Sequence, residues 1–115
     1  MRSDVMKIII VDNDVLLHEK LDSQFENYKD FSLMGIYLSI DNALLDYDFV
    51  QPDIILLEVG DSDIDGINGI RLFRKKDRHI KILMISNNSD FDIIKKAFKN
   101  GANGYLTKPI NKKRL

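Results

Sequence analysis

Apolar runs with no polar break alternate along this chain with segments whose apolar residues recur every three to four positions. Ile8-Ile9-Ile10-Val11 is β-branched throughout, the pattern of a strand buried on both faces of a parallel sheet. It stops at Asp12-Asn13-Asp14. Val15, Leu16, Leu21 and Phe25 follow at helical spacing to about Tyr28, with Asp14 as the expected N-cap. A second apolar stretch covers 31–37, and 41–49 reads as a helix with Ala43, Leu44 and Tyr47 on one face. Pro52 introduces Asp53-Ile54-Ile55-Leu56-Leu57, again strand-like on both faces. Residues 60–69 hold three Gly and place Asp61, Asp63 and Asp65 at alternate positions. That composition predicts a loop with a turn at Asp65-Gly66, leading into a helix that ends at Lys76 with Ile70 and Phe73 inward. Residues 81–85 read as a fourth strand. Ser89 or Asp90 caps a helix that turns Ile93, Ile94, Ala97 and Phe98 to the core and ends near Asn100-Gly101, a good C′ glycine. Residues 104–107 form a short fifth strand, closed by Lys108-Pro109.

Strands alternating with helices imply right-handed crossovers and a parallel sheet with helices on both faces. The pattern stops at Leu115, where a further helix would begin. A five-stranded sheet covered on both faces wants that helix, so the natural protein is expected to continue, with residues 1–115 as the N-terminal part of a longer regulator.

At 115 residues the chain holds one domain. Its 17 Lys/Arg and 18 Asp/Glu leave a formal charge of -1, so direct nucleic-acid contact is not expected. Cysteine is absent, which excludes disulfides, thiolate metal sites and a Cys nucleophile. His18 and His79 have no metal-ligand spacing. No apolar run reaches the roughly 18 residues of a membrane span, and the short N-terminal apolar run is no signal peptide. A cytoplasmic location without membrane contact is the expectation.

In open parallel sheets ligands bind outside the carboxyl ends of the strands. Asp12, Asn13 and Asp14 follow the first strand, Glu58 the third, Ser86 the fourth and Lys108 the fifth. With the common strand order 2-1-3-4-5 these ends lie side by side. One polar residue at one strand end is a solvated turn; four matching ends with a lysine opposite carboxylates suit a phosphoryl group. The carboxylates can hold Mg²⁺, and Lys and Ser meet the remaining phosphoryl oxygens.

On these residues the chain resembles the receiver (CheY-like) domain of two-component response regulators. The matching stretches are Ile8 to Asp14, Pro52 to Val59, Asp65-Gly66, Ile82 to Ser86 and Gly101 to Pro109. The resemblance implies a flavodoxin-like doubly wound α/β fold with a five-stranded parallel sheet, its last helix truncated or absent. It implies a signalling module and not an enzyme. An acidic pair would bind Mg²⁺ with help from a backbone carbonyl, which places Asp12, Asn13, Glu58 and the backbone of Gly60 around the ion. An acceptor at the end of the third strand would take a phosphoryl group from a sensor histidine kinase. Ser86 and Lys108 would sense that group, and Tyr105, three residues before the lysine, would be the aromatic that swings inward. The family also implies an output domain, most often DNA-binding, and possible homodimers.

Two positions depart from the family's pattern. The acceptor is Glu58 instead of Asp, and the second acid of the pair is Asn13. Ser62 also stands where a proline is usual. The extra methylene shifts the carboxylate by about 1.5 Å, and Asn supplies an oxygen without a charge, so weak Mg²⁺ binding is expected. The leading expectation is a phosphorylation-independent pseudo-receiver in which Glu58 reaches into the phosphoryl site and pairs with Lys108. The alternatives are slow Mg²⁺-dependent phosphorylation of Glu58, Asp14 turning in to replace the lost charge, and a stand-alone protein–protein interaction module. A flavin or nucleotide binder is disfavoured because no Gly-rich loop follows the first strand.

Asp61-x-Asp63-x-Asp65-Gly66 resembles the opening of an EF-hand loop, but its twelfth position is Leu72 and a strand precedes it. Arg71, Arg74, Lys75, Lys76 and Arg78 read as a solvated helix face, and His18 as a surface residue.

Overall fold

The computed structural model describes residues 5–12, 29–58 and 63–107. In chain order these form β1 (Met6–Val11), β2 (Phe31–Tyr37), α1 (Ile40–Val50), β3 (Ile54–Glu58), α2 (Asp63–Lys76), β4 (Lys81–Ser86), α3 (Phe91–Lys99) and β5 (Gly104–Thr107). The strands pair in parallel in the order β2-β1-β3-β4-β5, the flavodoxin-like arrangement expected. The helix expected over 14–28, its cap Asp14, and the start of a final helix lie outside the described residues.

The β-branched runs are buried on both faces because alternate side chains leave a strand on opposite sides. Ile9, Val11, Ile55, Leu57, Ile82 and Met84 join Ala43, Tyr47, Ile70, Phe73 and Ala97 from the three helices in one core. Ile8, Ile10, Leu56 and Ile85 form the core of the opposite face. β2 is one edge of the sheet and has no buried residue. Its register with β1 skips Met34 between Ile8 and Ile9, a bulge of the kind that marks sheet edges.

Local chemistry sets the helix ends. The Ser39 side chain accepts from Asn42 N–H at the start of α1, and Asp90 accepts from Asp92 N–H at the start of α3. At the end of α3, Gly101 sits at φ 117°. Its N–H donates to Phe98 O and that of Ala102 to Ala97 O, the paired bonds of a Schellman motif.

Three expectations need correction. α2 begins at Asp63, so Asp65-Gly66 is helix and not a turn. The glycine that suggested a loop serves packing, since a Cβ on Gly69 would lie 2.6 Å from Ile40 Cδ1. Phe98 is exposed and not core, leaving Ala97 as the buried residue of α3. Arg74 is half-buried and not part of a solvated face. Its guanidinium donates to the carbonyls of Asp77, Arg78, Ile80 and Gly101 and to Asn103 Oδ1.

Tyr47 Oη donates to Asp77 Oδ2 at 3.1 Å, and Asp77 Oδ1 accepts from His79 N–H at 2.8 Å. Burial foremost, then that bond, pushes the Tyr47 phenol well above its usual 10.0. The His79 N–H bond foremost holds the Asp77 carboxyl below its usual 3.8. Asp77 therefore contributes stability that is present above pH 3.8 and lost as pH falls through its folded value. Tyr47 contributes stability present below pH 10.0 and lost as pH rises past it. Tyr47→Phe is expected to lose about 1 kcal/mol at neutral pH and to flatten the alkaline decline, read from urea unfolding across pH.

Candidate functional site

The sheet register brings the strand ends into a row. Val11 pairs with Leu57, so Asp12 and Glu58 come next on neighbouring strands. Glu58 pairs with Ile85, the residue before Ser86. Ser86 pairs with Thr107, the residue before Lys108. The site's spacing is thus a consequence of where each apolar run stops.

Asp12 directly follows β1 and is 1% exposed, and its N–H donates to Tyr37 O at 2.9 Å. A carboxylate so removed from water needs compensation by hydrogen bonds or a cation. Glu58 ends β3 and is half-buried. Ser86 ends β4 and is fully buried. Tyr105, second in β5, is half-buried and packs on the core that includes Met84 and Leu57. Asn13, Asp14, Gly60, Ser62 and Lys108 lie outside the described residues.

A residue not singled out from the sequence ties two of these together. Asn88 donates its N–H to Ser86 Oγ at 3.0 Å and receives the Tyr105 hydroxyl on its carbonyl at 2.5 Å. Its Oδ1 accepts from Asp90 N–H at 2.8 Å, and Asp90 caps α3. Ser86, Tyr105 and the start of α3 are therefore joined through the 87–90 loop. The run Asn87-Asn88-Ser89 was the available signal, since short polar side chains after a strand commonly bind local backbone.

The donors at the acidic end are oxygens. Among the described residues no group of three or more His, Cys, Asp or Glu could hold a metal. Asp12 and Glu58 supply two carboxylates, the number Mg²⁺ takes beside water and phosphoryl oxygens, so the residues present fit that ion. No helix among the described residues is long and apolar enough to cross a membrane.

Comparison with known proteins gives a consistent result. The model of the response regulator receiver domain matches residues 8–115. The transcriptional regulatory protein LnrK of Bacillus subtilis is 26% identical over 107 residues, covering 93% of this chain and 49% of that protein. The chemotaxis protein CheY of Listeria monocytogenes is 25% identical over 111 residues, covering 96% of this chain and 92% of that one. The chain thus spans about half of one relative and nearly all of another. In structure it matches the CheX-CheY-BeF3-Mg²⁺ complex of Borrelia burgdorferi with a TM-score of 0.81 and 22% identity, over 95% of this chain and 82% of that one, a likeness of fold.

Proposed function

The chain belongs to the response regulator receiver domain family, and from that premise we propose that it is a signalling module uncoupled from phosphorylation and held towards its signalling arrangement. The observation that carries this reading is the inward Tyr105. Its hydroxyl is bonded to the Asn88 carbonyl while the Asn88 N–H is bonded to Ser86 Oγ. The hydroxyl that would sense a phosphoryl group and the aromatic that would respond to it are already linked by protein groups.

The acidic end supports the same reading. Asp12, Asn13, Glu58 and the Gly60 carbonyl would hold Mg²⁺, which when bound neutralises phosphoryl oxygens. Asn13 brings no charge to that set. Glu58 has one methylene more than an aspartate, about 1.5 Å of extra reach, and a pairing with Lys108 would take that ammonium from a phosphoryl group. Misplacement on the order of 1 Å costs about 100-fold in a positioned reaction.

In a longer protein the domain would act in the cytoplasm on an output domain, DNA-binding as suits a relative named as a transcriptional regulatory protein. A sensor histidine kinase is then a docking partner at most.

Beryllofluoride with Mg²⁺, a phosphoryl mimic, tests the uncoupling. The amide resonances of Ser86, Asn88 and Tyr105 are expected not to move, and a saturable shift at all three would overturn the reading. Tyr105→Phe removes the hydroxyl alone. It is expected to cut hydrogen-exchange protection of the Asn88 amide about fivefold, from the loss of roughly 1 kcal/mol. Unchanged protection would mean that the 87–90 loop is ordered without it.

A further inference from the structure

The near-neutral chain is strongly polarised. Residues 1–65 carry 15 Asp/Glu against 4 Lys/Arg, and residues 66–115 carry 3 against 13. Among the described residues the division holds, at 9 Asp/Glu against 2 Lys/Arg up to residue 65 and 3 against 9 after it. The sheet order makes it spatial, because β2, β1 and β3 come from the first part and β4 and β5 from the second. α1 packs on β2 and β1, at the acidic pole. α3 packs on β5, at the basic pole.

Each pole presents an apolar stripe flanked by its own sign of charge, except at the first turn of α3, where exposed Asp90 and Asp92 adjoin Phe91. On α1, Leu45 and Phe49 are 83% and 92% exposed and one turn apart, with Asp41 and Asp48 also exposed on that side. On α3, Phe91 and Phe98 are 73% and 47% exposed, seven positions apart and so on one side of the helix. Exposed Lys95 lies between them and exposed Lys99 beside them. Single exposed apolar residues are ordinary on a soluble protein. The α1 stripe spans one turn and the α3 stripe two; with opposite charge beside them and on opposite edges of one sheet, they are complementary in charge.

We propose that the chain self-associates head to tail, the Leu45–Phe49 stripe of one copy docking on the Phe91–Phe98 stripe of a second. Asp41 and Asp48 of the first copy then face Lys95 and Lys99 of the second. Asp48 already meets Lys76 Nζ at 3.2 Å, but an exposed pair of this kind is worth little and yields readily to a competing lysine. The contact joins two different faces, so it is heterologous and leaves a free stripe at each end. It is independent of the phosphorylation reading. It sets the basic pole of one copy against the acidic pole of the next.

One helix face per partner falls below the roughly 1,200 Å² of standard interfaces, so association is weak, with Kd on the order of 0.1–1 mM. Sedimentation equilibrium of the 115-residue chain tests it. In low salt the average mass is expected to rise with concentration past the dimer without a plateau. In about 0.5 M salt, where screening is nearly complete over a few ångströms, it should fall to the monomer. Asp41→Asn with Phe49→Ser disables one stripe, and Lys95→Gln with Phe98→Ser disables the other. Each double variant alone is expected to be monomeric, with an unchanged melting temperature. Their equimolar mixture is expected to form a 1:1 dimer that grows no further, since one intact stripe of each kind remains. The proposal is overturned by a wild-type monomer at about 1 mM in low salt, by undiminished association of either variant, or by a mixture that stays monomeric. A monomer that binds heparin through Lys95 and Lys99 would also overturn it, in favour of a polyanionic partner.

Discussion

Glu58→Asp combined with Asn13→Asp is expected to raise the rate of phosphorylation by acetyl phosphate by about 100-fold or more over the wild type, in a Mg²⁺-dependent manner. In the reaction a carboxylate oxygen of residue 58 forms the bond to phosphorus as the bond to acetate breaks, and acetate leaves with that electron pair. Shortening the side chain withdraws the carboxylate by about one bond, 1.5 Å, to the reach the family uses. It would also end the Glu58–Lys108 pairing proposed above and leave the ammonium to the phosphoryl oxygens. Asn13→Asp restores the missing charge beside Asp12, which is buried at the end of β1. The two changes act on one site, so they are expected to be more than additive. Initial rates from intact mass, with and without Mg²⁺, give the comparison. A double variant as inert as the wild type would mean that something other than these two residues disables the pocket.

Arg74→Met is expected to destabilise the domain by about 3 kcal/mol, near the upper value for a charged hydrogen-bond donor. The guanidinium reaches three carbonyls at the end of α2 and before β4, those of Asp77, Arg78 and Ile80. Its other nitrogen donates to Gly101 O at 2.6 Å and Asn103 Oδ1 at 3.0 Å. Asn103 is itself clamped to β4, its Oδ1 accepting from Ile82 N–H and its N–H donating to Ile82 O. One side chain therefore joins the loop before β4 to the loop before β5. Methionine keeps the apolar stem and removes all five donations. Arg74→Lys should recover less than half of the loss, because one ammonium lacks the planar fork that serves both sides. Urea unfolding measures both, and Arg74→Met within about 0.5 kcal/mol of the wild type would return this residue to an ordinary surface role.

Arg74 also shows where the sequence stops being legible. Five basic residues in eight positions look like a solvated face. What separates Arg74 from Lys75 is the position of carbonyls up to 29 residues away, which only tertiary structure supplies. Phe98 follows the same logic. Its spacing from Ile94 and Ala97 fits an inward face, yet it lies at the edge of that face and the packing admits Ala97 alone. Asn88 acts mainly through its backbone, which residue type does not reveal. The strands and strand ends were legible because burial on both faces demands unbroken apolar runs, and a parallel sheet aligns their ends. Asp12, Glu58 and Ser86 could be located for that reason, and the order β2-β1-β3-β4-β5 sets them in a row; Tyr105, inside β5, was marked only by the family resemblance.

The most direct measurement is the intact mass of the wild-type chain after incubation with acetyl phosphate and Mg²⁺, beside a receiver with an aspartate acceptor. The expected result is no added mass under conditions that label the control. A Mg²⁺-dependent gain of one phosphoryl group, abolished in Glu58→Gln, would contradict it and make this a working receiver with a glutamate acceptor.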